Sequence, residues 1–102
     1  MTTGLLGSQD LAANTDTTIC TLPAGSQSFT VNVCNRNSTN VLIRIAPMCT
    51  TSASPTNTEF FVYDANLQAN GVMQLSGLTS GSAKFVVVRS DTANVSVNVY
   101  GV

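Results

Sequence analysis

The chain has 102 residues, of which 43% are hydrophobic and 9% charged, with a net charge of −1 and neither His nor Trp. That length suits a single domain with one thin core. The lack of His and the scarcity of charge leave few groups for general acid–base catalysis. The cations Arg36, Arg44, Lys84 and Arg89 are scattered and form no basic stripe for nucleic acid. No run approaches the roughly 18 apolar residues of a membrane span.

Residues 1–16 are rich in Gly, Thr and Asn, with apolar points at Leu5, Leu6 and Leu11. They read as an N-terminal arm or loosely attached strand, ahead of one sandwich domain over residues 17–102. The first seven residues lack the basic flank and long apolar stretch of a secretory leader. Such an arm, ordered only on a partner, is expected to be removable without unfolding the rest.

Residues 17–22 form a short β-branched run that stops at Pro23-Ala24-Gly25, a turn signal. Residues 28–35 alternate, with Phe29, Val31 and Val33 on one face and Thr30, Asn32 and Cys34 on the other. After the polar turn 36–40, Val41, Ile43 and Ile45 point inward and Arg44 outward, so the two runs predict a hairpin. Residues 47–57 read as a loop, because Pro47 and Pro55 lack the donor a central strand needs. The next strand is expected over 59–64.

Asn70-Gly71 predicts a positive-φ turn before a strand over 72–76. Residues 77–82 then lead into the final pair, 83–90 and 95–101. In the last of these Val95, Val97 and Val99 share a face, opposite Ser96, Asn98 and Tyr100. Short strands with a turn signal every eight to twelve residues, and no 3.6-residue repeat, predict an all-β chain. The expected fold is an antiparallel β-sandwich, jelly-roll or Ig-like, of seven to eight strands.

Reactive chemistry is sparse. Asp10, Asp16, Glu59, Asp64 and Asp91 show no marked pair for glycoside chemistry and no calcium-loop spacing. No nucleophile elbow or phosphate-binding glycine loop occurs. Cys20, Cys34 and Cys49 are odd in number and contain no C-x-x-C pair, so packed thiols are expected, not a zinc or redox site. The sequons at Asn37 and Asn94 read as chance matches in an Asn-rich chain. No catalytic residue, metal site or cofactor is expected.

Some strands are apolar on both faces. Phe85 and Val87 oppose Val86 and Val88, and Phe60, Phe61 and Val62 run together. Such a strand is either a core strand covered on its second face by a loop or arm, or a subunit contact. Low charge suits a surface covered by neighbours, since interface cores are depleted in charge. The candidate partner interface is Leu5, Leu6, Leu11, Phe60 and Phe85.

The series Thr17 to Gly25, Phe29 to Ser38 and Val41 to Ala46 resembles small β-sandwich virion proteins of tailed phages. The rhythm continues through Glu59 to Asp64, Ala69 to Val72 and Val86 to Ser90, and is closest at Ala93 to Gly101. The resemblance covers roughly residues 17–101. It implies a non-enzymatic capsid decoration, or cement, protein that binds between capsomers on the outer shell. The chain would be made in the host cytoplasm. Its implied partners are the major capsid protein or another virion protein and its own copies, with a trimer preferred because shells offer threefold positions. No nucleic acid or membrane is implied as a partner. The alternative is a neck, tail or fibre component that binds a host glycan, which the absence of Trp disfavours. A cellular β-sandwich or an enzyme is the remaining class.

Overall fold

Eight strands appear in the computed structural model, which describes residues 3–52, 54–81 and 84–101. They are β1 (Gly4–Leu11), β2 (Thr17–Thr21), β3 (Gln27–Asn35), β4 (Val41–Cys49), β5 (Val62–Leu67), β6 (Val72–Ser80), β7 (Phe85–Ser90) and β8 (Val95–Gly101). A single 3-10 turn, Asn57–Glu59, precedes β5. The end of the expected 77–82 link and the expected start of a strand at residue 83 lie outside the described residues.

The strands form two four-stranded antiparallel sheets, ordered β1-β8-β3-β6 and β2-β7-β4-β5. The pairs β1–β8, β2–β7, β3–β6 and β4–β5 are those of one long hairpin folded back on itself. Rolling that hairpin brings β8 beside β3 and β7 beside β4. The chain is therefore an all-β sandwich with jelly-roll wiring.

Alternation explains the core. Val31 and Val33 of β3 and Val95, Val97 and Val99 of β8 are fully buried, facing Ile43, Ile45, Val86 and Val88 of the other sheet. Phe29, Leu22 and Leu11 close the same cluster.

The segment read as an arm or loosely attached strand contains β1, which pairs with β8 from Gly4↔Gly101 to Leu11↔Val95. β1 also presses on β2. A Cβ on Gly7 would lie 2.7 Å from both Cys20 Cβ and the Ile19 carbonyl oxygen. Only glycine permits this approach, which seals one side of the sandwich.

Three strand boundaries differ from expectation. β6, expected over 72–76 with a link after it, runs on to Ser80, because a bulge at Ser76 and Gly77 (φ 74°) absorbs the glycine without ending the strand. β4 is an interior strand yet runs through Pro47 to Cys49. Its register against β7 shifts between Ala46 and Cys49, so Pro47 lies in an irregular stretch where a missing donor is tolerated. The strand expected over 59–64 instead spans Val62–Leu67, because Glu59 is engaged in the preceding turn.

One end of the sandwich is tied by asparagines. The buried Asn35 amide donates to the carbonyls of Thr39 (2.9 Å), Leu67 (3.3 Å) and Gln68 (3.0 Å). Asn37 Nδ2 donates to the Ala93 carbonyl at 2.8 Å. Three turns, distant in sequence, are thereby joined. Asn70 (φ 56°) and Asn94 (φ 63°) supply the left-handed positions in two of them.

Candidate interaction surfaces

The second face of the β2-β7-β4-β5 sheet is covered by the chain itself. Ala46, Cys49 and Val87 form a small buried cluster there, with Phe60 and Phe85 packed against it. The segment between β4 and β5 lies over this face and reaches β2, where Ser52 Oγ stands 2.9 Å from Thr18 Oγ1. Glu59 holds the segment closed. Its carboxylate accepts from the Thr50 N–H (2.9 Å), Thr50 Oγ1 (3.1 Å) and the Thr56 N–H (2.9 Å). Those bonds, the Thr56 backbone first, hold the Glu59 carboxyl below its usual range.

Phe60 and Phe85 are thus half-buried members of an internal cluster. The other expected interface residues separate. Leu11 is 2% exposed and belongs to the main core, Leu6 packs half-buried against that core, and Leu5 is 67% exposed. The five do not form one surface.

A different group does. β5 carries one extra residue opposite Arg44, because Ile45 pairs with Val62 while Ile43 pairs with Ala65. Asp64 adopts φ 52° to fit this bulge. Bulges redirect side chains, and here both Tyr63 and Asp64 reach Arg44. Asp64 accepts from Arg44 Nε at 2.7 Å and from Nη2 at 3.2 Å. The guanidinium carbon lies 4.2 Å from the centroid of the Tyr63 ring. Phe60 meets Tyr63 edge-on at 5.1 Å. Arg44 holds the Asp64 carboxyl below its ordinary value, chiefly through the hydrogen bond. Phe61, Tyr63 and Leu42 are the exposed apolar residues of this region, at 53%, 57% and 40%. Sequence alternation places Arg44 outward, but no sequence signal marks the bulge that clamps it.

Other charges also serve the fold. Arg36 pairs with Asp10, and Arg89 Nη1 lies 3.8 Å from Asp16 Oδ1. Asp16 Oδ1 is buried and has no hydrogen-bond partner among the described residues. Asp91 accepts from the Leu42 N–H at 3.0 Å. Three of the four cations are therefore in ion pairs within the chain.

The outer face of the β1-β8-β3-β6 sheet carries an uncharged polar row at its centre. Register aligns Ser8, Asn98, Asn32 and Gln74 across all four strands. Gln74 Nε2 donates to Tyr100 Oη at 2.7 Å. Cys34 lies on this face, one row away.

The cysteines are free thiols. Burial pushes Cys20 and Cys49 up to about 11, so both stay protonated and weakly nucleophilic at neutral pH. Among the described residues no three His, Cys, Asp or Glu side chains are grouped to hold a metal ion.

No protein-family model matches the chain, and no curated protein matches it. The fold and its surfaces define a jelly-roll sandwich whose charges mostly bind its own elements. On its surface Arg44 is clamped between Asp64 and the Tyr63 ring.

Proposed function

We propose that this chain is a non-enzymatic virion structural protein, a capsid decoration protein that attaches to the shell between capsomers. The observation that carries the reading is the clamped Arg44 beside exposed Tyr63 and Leu42. Arg and aromatic residues dominate binding hot spots when they are rigid and centrally placed. Fixing Arg44 before contact lowers the ordering cost of association. The jelly roll is itself a fold of capsid domains, though a fold alone does not assign a function. The resemblance of residues 17–101 to small tailed-phage virion proteins supports the same reading.

The alternative of a glycan-binding tail or fibre part draws less support. One face of Tyr63, a natural sugar platform, is taken by Arg44.

The test compares particles with and without the chain. Decorated shells are expected to retain their DNA to a higher temperature, and adding purified protein to undecorated shells is expected to restore that margin. Unchanged shells, with label from an antibody to the chain confined to tails, would assign the alternative role.

A further inference from the structure

We propose that β6 is a pairing edge for a second copy of this chain, joined antiparallel about a two-fold axis through Gln74. The sandwich has four edge strands, β1, β6, β2 and β5. Unpaired edges invite other strands, and proteins block them with charge, bulges, short length or cover. Three of these edges are blocked. β1 lies against β2 at Gly7 and carries Asp10 in its pair with Arg36. β2 has only five residues and a register shift. β5 is interrupted by the Asp64 bulge.

β6 differs from all three. It is nine residues long, VMQLSGLTS, with no charge and no proline. Its own bulge, where Ser76 and Gly77 (φ 74°) together oppose Thr30, comes late and leaves Val72 to Leu75 in regular register. Beside that run lies a groove of about 310 Å3 lined by Leu67, Gln68, Val72 and Met73, on the side of the sandwich away from Gly7.

The register follows from the pleat. Opposed residues of an antiparallel pair share a face, so a two-fold axis falls on a residue and not between two. Centring on Gln74 sets Met73 against Leu75 of the second copy, twice. Both are half-buried at the rim of the main core, and the pairing covers them. Val72, 62% exposed, falls opposite Ser76 of the other copy, where the bulge begins. Gln74 has one amide hydrogen on Tyr100 Oη. Its carbonyl and second amide hydrogen suit an identical side chain, since an amide both donates and accepts. No like charges face each other, which is why a second copy fits better than a charged strand. Such an isologous contact closes at two copies, so it favours a dimer over the trimer expected from the sequence. The inference stands apart from the virion reading.

Sedimentation equilibrium on the full chain tests it. Wild type is expected to dimerise at micromolar concentration. Gln74→Lys and Gln74→Glu should each weaken the dimer by at least about tenfold, because like charges would meet on the axis. An equimolar mixture of the two should restore it, and Ser8→Lys on β1 should leave it unchanged. If Gln74→Lys loses its β-sheet circular dichroism, Val72→Lys mixed with Ser76→Glu takes its place. A wild-type monomer or trimer, or a Gln74→Lys dimer of unchanged affinity, would overturn the proposal. A mixture that stays monomeric would overturn the register.

Discussion

Asn35 Oδ1 accepts from both the backbone N–H and the side-chain amide of Asn37, each at 3.0 Å. With Asn35 Nδ2 on three carbonyls, one fully buried amide uses donor and acceptor together. A buried polar group that loses such partners leaves others unsatisfied. Asn35→Ala should therefore cost about 2–4 kcal/mol in urea unfolding. Asn35→Asp should be worse at pH 7, since a carboxylate would face three carbonyls. The folded-state pKa of that new acid would be raised, so its penalty should shrink as pH falls below the folded value. Equal losses for the Asp variant at pH 4 and pH 7 would contradict this arrangement.

The β1–β2 approach makes a second prediction. Gly7→Ala drives a methyl into the Ile19 carbonyl and Cys20 Cβ, and should destabilise by about 1–3 kcal/mol, the range for overpacking. Removing residues 1–12 should do far more. It strips β1 from β8 and takes Leu11 out of the core, so loss of the cooperative thermal transition is the expected result. A truncated chain with wild-type Tm would show that β1 contributes nothing to the fold.

Much of this fold is legible in the residue alternation. Val95, Val97 and Val99 pack inward as their period predicts, as do Val41, Ile43 and Ile45. Val86 and Val88 join the main core while Phe85 and Val87 join the second cluster, as their two-faced pattern implies. Local pattern could not reveal what depends on partners far along the chain. Leu11 looks like an arm residue because Gly4 and Gly7 lie within its strand, yet the glycine at 7 is there for contact with Ile19 and Cys20. Pro47 reads as a loop because the register shift that tolerates it is a property of the β4–β7 pair. The Arg44 clamp depends on one extra residue in β5, and a bulge has no period to read.

Acid should open the segment over Cys49. The Glu59 pKa is lowered in the fold, so its contribution is fully present above its ordinary value of 4.5 and is lost as pH falls through the folded value. Glu59→Gln imitates that loss at neutral pH. The variant should expose Cys49 to a thiol reagent at pH 8 faster than wild type, with the β-sheet spectrum retained. Mass-mapped labelling rates measure this, and identical rates would show that Glu59 does not hold the segment.

Arg44→Ala separates attachment from folding. Arg44 and Asp64 are partly exposed, so a solvent-screened ion pair of this kind adds little stability and the thermal transition should hardly move. Attachment to shells should instead weaken by about 2 kcal/mol or more, the scale of a hot-spot residue. Tyr63→Ala should act the same way, and the two losses should be less than additive because each residue orders the other. Co-sedimentation of variants with undecorated shells gives both numbers. Full attachment by Arg44→Ala would remove the clamp from the interface.

The most direct measurement of the central claim is a cryo-electron microscopy reconstruction of particles that contain the chain. The account predicts eight-stranded density on the outer shell between capsomers, in many symmetry-related copies, with Arg44, Tyr63 and Leu42 turned toward the shell. Density for the jelly roll confined to the neck, tail or fibres, or absent from the particle, would contradict it.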